Sequence, residues 1–135
     1  MREFDTETLQ MLRVFEDITG AQVRDCILDK TNSSVVFIVF PGQMGLAIGK
    51  NGMNIKMAEK LLGKHIKVFE YSEDVKQFVK NLIPFAKRIE IKNDKIIVWA
   101  EPQKKGKIIG KGGSNIKLIR KIIERNCKIK QIEVR

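Results

Sequence analysis

The sequence predicts an α+β chain made of two tandem copies of one small αββααβ unit, residues 1–70 and 71–135. Three observations predict it. A constant offset of 61 residues lays Val35–Leu62 over Ile96–Ile123 without a gap, and 10 of those 28 pairs are identical. In each copy, apolar residues recur first at helical spacing, then in short β-branched runs, then at helical spacing again. Finally, the same glycine-bounded turn punctuates both copies, as Gly49-Lys50-Asn51-Gly52 and Gly110-Lys111-Gly112-Gly113.

The elements follow in order. Leu9, Leu12, Phe15 and Ile18 predict a helix over Phe4–Thr19, with Asp5 as N-cap and Gly20 as its stop. Val23–Leu28 and Val35–Phe40 read as strands around a turn at Lys30-Thr31-Asn32-Ser33, and Pro41-Gly42 ends the second. Gly45–Gly49 reads as a short helical segment, and Met53–Leu62 as a helix burying Ile55, Ala58 and Leu62. His65–Phe69 is the last strand of the first copy. In the second copy, Ser72 is expected to cap a helix burying Val75, Phe78, Val79 and Leu82, and Pro84 follows its end. Strands are expected over Phe85–Ile91 and Lys95–Ala100 around an Asn93-Asp94 turn, helices over Lys104–Ile109 and Ser114–Glu124, and a strand over Lys128–Val134. The boundary falls near Glu70-Tyr71-Ser72 with almost no linker, and units this small predict that the two pack together.

Charge and composition narrow the function. The net charge is +10, with 26 Lys+Arg against 16 Asp+Glu. Residues 1–70 hold 9 of each sign, so residues 71–135, with 17 basic and 7 acidic side chains, carry the whole excess. Such asymmetry points to a polyanion, nucleic acid ahead of membrane. The apolar runs, such as Val35–Phe40, are too short to cross a bilayer. The opening Met1-Arg2-Glu3-Phe4-Asp5 has no apolar stretch, so no secretory signal is expected and the location expected is cytoplasmic. Cys26 and Cys127 stand in no metal-type pair and read as reduced structural thiols. One histidine, His65, leaves neither zinc chemistry nor a His-based catalytic centre a sequence basis. No cofactor, metal or catalytic residue is expected.

The glycine turns carry the chemistry. Glycines at both ends let backbone approach a bulky ligand, and the helix that follows aims N–H groups and its positive dipole end at that point. Lys50 and Lys111 add a cation there. The turns are not mononucleotide loops. Gly45 to Gly49 and Gly106 to Gly110 enclose three residues where a Walker loop needs four, and Asn51 and Gly112 replace its Mg²⁺-binding hydroxyl. A phosphodiester backbone fits better.

On these residues the chain resembles the KH family of RNA-binding domains over essentially its whole length. The αββααβ order and the Ile-Gly-Lys-x-Gly turns at Ile48–Gly52 and Ile109–Gly113 carry the likeness. The resemblance implies that each turn clamps about four nucleotides of single-stranded RNA by the backbone. The bases would then lie in an aliphatic groove walled by Ile48, Ile55, Ile109 and Ile116. A tandem pair with almost no linker looks most like the KH pair of NusA transcription factors, and is similar to the short archaeal NusA-like termination proteins. That resemblance implies single-stranded RNA and RNA polymerase as partners.

Other residues extend the expected site. Lys56 and Lys60 recur as Lys117 and Lys121, an i, i+4 basic rail on the helix after each turn. Lys104, Lys105 and Lys107 precede the second clamp, where the first has Gln43 and Met44 at the first two positions, so the second site is expected to be the more electrostatic. Asn54 and Asn115 could bond RNA or cap the helix, and the sequence leaves both open. Trp99 and Tyr71 are stacking candidates, with packing the favoured role for Trp99 because it aligns with Ile38. Two other roles stay open beside transcription: a ribosome-associated or ribosome-assembly KH protein, in which one clamp should be degenerate, and an RNA-delivery subunit of a processing enzyme.

Overall fold

Asp5 starts the first helix as its composition requires. Its side chain accepts the Thr8 N–H at 2.8 Å, supplying one partner to the orphan donors of α1, Thr6–Thr19. Gly20 ends α1 in the left-handed conformation, φ 74°. These are features of a computed structural model that describes residues 4–30 and 32–135. Thr31 of the expected first hairpin turn and Met1-Arg2-Glu3 of the expected signal-free start lie outside the described residues.

The chain forms two compact units, one ending at Ser72 and the other beginning at Glu73. In the first, α1 is followed by β1 (Val23–Asp29), β2 (Ser34–Val39), α2 (Met44–Ile48), α3 (Met53–Leu62) and β3 (His65–Glu70). β1 pairs antiparallel with β2, and β3 runs parallel to β2 on its other side, Ser34 opposite His65 and Val39 opposite Glu70. The parallel return is made by the α2–α3 crossover, which therefore lies across the sheet. The core joins Met11, Leu12 and Phe15 of α1 to Val35, Phe37 and Val39 of β2, with Ala47 and Ala58 from the crossover helices. Phe15 and Phe37 stack at 4.1 Å. Ala58 is buried as expected, while Ile55 and Leu62 are half-buried against this core. Glu59 ties α3 to β3, accepting the Ile66 N–H at 3.0 Å and facing His65 Nδ1 at 3.0 Å, which gives the lone histidine a structural place.

The second unit repeats the order with α4 (Val75–Leu82), β4 (Arg88–Lys92), β5 (Lys95–Trp99), α5 (Pro102–Ile109), α6 (Ser114–Asn126) and β6 (Gln131–Val134). β5 is central, antiparallel to β4 and parallel to β6. Phe78, Val79, Leu82, Ile96, Val98, Ile119, Ile123 and Ile132 are among its buried residues.

Four expected boundaries move. Asp74, not Ser72, caps α4, accepting the Lys76 N–H at 3.2 Å: a carboxylate one residue before the helix outcompetes a hydroxyl three before it. β4 begins at Arg88 rather than Phe85, because Ile83–Ala86 closes a turn, Ala86 N–H to the Ile83 carbonyl at 3.1 Å. α5 starts at Pro102, where the missing N–H costs nothing at the first helical position. β6 starts at Gln131, because α6 continues to Asn126 and buries Asn126 on the way.

The cap makes a pH prediction. The Thr8 N–H and hydroxyl hold the Asp5 carboxyl below its usual range. A depressed folded pKa stabilises above the ordinary carboxylate value, and that contribution is lost as pH falls through the lowered one. Asp5→Ala should therefore lower the melting midpoint at neutral pH, and the deficit should shrink in acid. Thermal melts of both proteins across that range check it.

Candidate nucleic-acid interface

Each glycine turn is a backbone structure that few sequences can adopt. α2 ends at Ile48, and Gly49 then takes φ 76°, ψ 170°. Gly110 after α5 takes the same angles, φ 76°, ψ 170°. A Cβ on Gly49 would sit 2.7 Å from Asn54 Cγ and 2.8 Å from the Asn54 nitrogen; on Gly110 it would sit 2.8 Å from Asn115 Cβ and nitrogen. Both the dihedral and the close approach therefore demand glycine. Lys50–Gly52 and Lys111–Gly113 then make one 3₁₀ turn each, closed by Gly52 N–H to Gly49 and Gly113 N–H to Gly110, both at 3.1 Å. The third residue of each clamp is left-handed: Asn51 at φ 56° and Gly112 at φ 62°.

The two asparagines hold these turns. Asn54 Nδ2 donates to the Leu46 carbonyl at 2.7 Å, and Asn115 Nδ2 donates to Ile108 at 2.9 Å and Lys107 at 3.4 Å. Each staples the helix after the clamp to the end of the helix before it, so the amide N–H groups have a local role. A Gly49→Ala or Gly110→Ala exchange is expected to open this staple, costing about 1–3 kcal/mol in backbone strain alone. Thermal melts of each variant measure it.

The lysines converge on the same turns. The Lys56 Cε lies 3.7 Å from where a Gly52 Cβ would be, and the Lys117 Cε 4.0 Å from that of Gly113. Ile55 and Ile116 approach the same two points at 3.9 and 4.0 Å. Lys50, Asn51, Lys56, Lys60, Lys111, Gly112, Lys117 and Lys121 are exposed. Ile48 and Ile116 are half-buried, while Ile109 is 38% exposed. Neither α3 nor α6 has a side-chain N-cap bond, so the positive helix end faces the lysine turn without a competing carboxylate.

The two clamps differ in their approaches. Lys107 is exposed and Lys104 and Lys105 half-buried on α5, whereas the first unit has exposed Leu46 at the Lys107 position and Met53, 60% exposed, where the second has Ser114. Trp99 departs from the expected core packing. It lies half-buried on the sheet face with Arg88 and Arg135, whose guanidinium carbons stand 4.7 and 5.7 Å from its ring; its aligned partner Ile38 is fully buried. On that face Glu133 is held below the usual carboxylate range by hydrogen bonds from Lys95 and Arg135. Tyr71 is covered by Arg24 at 3.8 Å. Sequence reasoning missed Phe85, which it placed in a strand; the preceding Pro84, where a helix has to end, was the available signal of an exposed turn.

Known proteins share this fold. The KH domain family matches residues 12–84 and again 74–135. The "Probable transcription termination protein NusA" of Methanococcus vannielii is 39% identical over 141 residues, 98% of this chain and 79% of its own. The protein of the same name from Methanocaldococcus jannaschii is 33% identical over 136 residues, 96% of this chain and 73% of its own. The crystal structure of APE1850 is similar with a TM-score of 0.80 and 35% identity, covering 98% of this chain and 100% of that one. A KH match to each half, joined to likeness to these relatives over nearly the whole of this chain, places it in the archaeal NusA-like family of tandem KH-domain proteins.

Proposed function

We propose that the chain binds single-stranded RNA through both glycine turns, one in each of the domains 1–70 and 71–135, and acts in transcription termination and elongation control. The observation that carries this is the repetition of one strained backbone, with φ 76°, ψ 170° at Gly49 and again at Gly110, each followed by an exposed lysine. A phosphodiester strand would find the N–H groups of the turn, the positive end of α3 or α6, and Lys50 or Lys111 at one point. Lys56 and Lys60, or Lys117 and Lys121, would follow the strand along the helix. Bases would lie against Ile48 and Ile55, or Ile109 and Ile116.

The transcription role is supported by the relatives named as probable NusA termination proteins. In this reading the protein holds nascent RNA beside RNA polymerase, by binding and without catalysis, in the cytoplasm. Among the described residues no helix is long and apolar enough to cross a membrane. RNA affinity measured for single-stranded and duplex forms of one sequence tests the binding. Single strands should bind far more tightly, since bases must be splayed to enter a groove. Equal affinity for duplex would contradict the reading. Co-purification of polymerase with the tagged protein, retained after ribonuclease, tests the partner.

A further inference from the structure

The turn between α4 and β4 presents an aromatic ring to solvent. Ile83 and Ala86 are buried at 2% and 5%, while Phe85 between them is 48% exposed. The turn is pinned. Ala86 N–H donates to the Ile83 carbonyl at 3.1 Å, and Lys80 Nζ donates to the carbonyls on either side of Phe85, Pro84 at 3.0 Å and Ala86 at 2.7 Å. A phenyl group held outward in this way pays little ordering entropy when a flat ligand covers it.

Two cations stand over the ring, Lys104 Nζ at 5.0 Å and Lys107 Nζ at 5.4 Å from its centroid. They lie three residues apart on α5, the helix that ends in the second clamp. Lys107 also belongs to the clamp scaffold, since its carbonyl accepts from Asn115 at 3.4 Å. The first unit has different chemistry at these positions. Gln43 stands in place of Lys104, its Oε1 accepting the Gln22 N–H at 3.0 Å, and Leu46 in place of Lys107.

We propose that Phe85, Lys104 and Lys107 form a base-stacking station beside the second clamp, seating one further nucleotide with its base on the phenyl face and its phosphate on the two ammonium groups. The station rests on the RNA-binding reading above. It extends the second clamp by an aromatic contact that the glycine turns do not supply. Stacking accepts any base, so the station adds affinity and strand path and not sequence choice.

The test uses the full chain and two probes of equal length, oligoadenylate and an oligomer of abasic ribose phosphates. Phe85→Ala and Phe85→Leu are each expected to weaken oligoadenylate binding about tenfold. They should leave the salt dependence and the binding of the abasic oligomer unchanged. Phe85→Trp should retain oligoadenylate affinity. Phe85→Leu keeps the apolar bulk, so its thermal melt controls for folding. Wild-type affinity in both Phe85→Ala and Phe85→Leu, with binding lost in the Lys111→Asp/Gly112→Asp variant, would overturn the station and leave the clamp reading standing. Equal losses for both probes would also overturn it, since the ring would then be acting on structure. If the aspartate variant too bound normally, the RNA reading would fail and the station with it.

Discussion

Replacing Lys111 and Gly112 together by aspartate is expected to weaken single-stranded RNA binding about 100-fold, the effect of losing the Lys111 ammonium's bond to phosphate and setting like charge against it. The exchange sets two carboxylates where phosphate is proposed to lie. It should not disturb the fold. Gly112 has nothing within 4 Å of where a Cβ would be, and aspartate is among the side chains that tolerate its left-handed φ of 62°. The matching exchange of Lys50 and Asn51 should act in the same direction but less strongly. Lys104, Lys105 and Lys107 precede the second turn, where the first has Gln43, Met44 and Leu46, and residues 71–135 carry the whole +10. Single-stranded RNA releases counterions on binding, so log K should fall with log salt by about 0.7 per phosphate neutralised, a slope near −3 to −4 for about four to six contacts. The second-clamp variant should flatten that slope more. Equal losses, or a larger loss at the first clamp, would mean that apolar contacts such as Leu46 and Met53 outweigh charge.

Phe37→Ala is expected to cost about 3–5 kcal/mol, the usual effect of emptying a buried phenyl site. Phe37 and Phe15 are both fully buried and stack at 4.1 Å with planes 13° apart, joining β2 to α1. Domains of this size have about 5–15 kcal/mol in total, so the first unit should lose most of its stability. Phe37→Leu, which keeps most of the volume, should cost less. Urea unfolding of the three proteins measures the difference as a shift in midpoint at constant slope.

The glycine turns were legible in the sequence because their geometry is local. Four residues, Gly49 to Gly52, set their own dihedrals, and the repeat at Gly110 to Gly113 doubles the signal. The helices around them were legible for the same reason, since a helical period and a capping Asp5 act over a few residues. What escaped depended on contacts between residues far apart in the chain or on lengths that differ between the copies. The constant offset holds from the central strand through Leu62 and fails outside that stretch, since α3 ends at Leu62 while α6 runs on to Asn126. β1 ends at Asp29 and β2 begins at Ser34, whereas β4 ends at Lys92 and β5 begins at Lys95, and β6 starts five residues later than the offset predicts. β4 accordingly starts at Arg88, three residues beyond the expected Phe85. The role of Asn54 depends on a carbonyl eight residues earlier, brought near only by the turn itself. Trp99 aligned with a buried Ile38, but alignment carries no knowledge of what covers a sheet face.

Backbone amide NMR reads directly whether both turns grip RNA by its backbone. On titration with single-stranded RNA, the N–H signals of Lys50, Asn51 and Gly52 and of Lys111, Gly112 and Gly113 should shift first and furthest, together with the opening residues of α3 and α6, and these shifts should vanish in the corresponding aspartate variants. Saturating RNA that leaves those amides in place while signals elsewhere move would contradict the account.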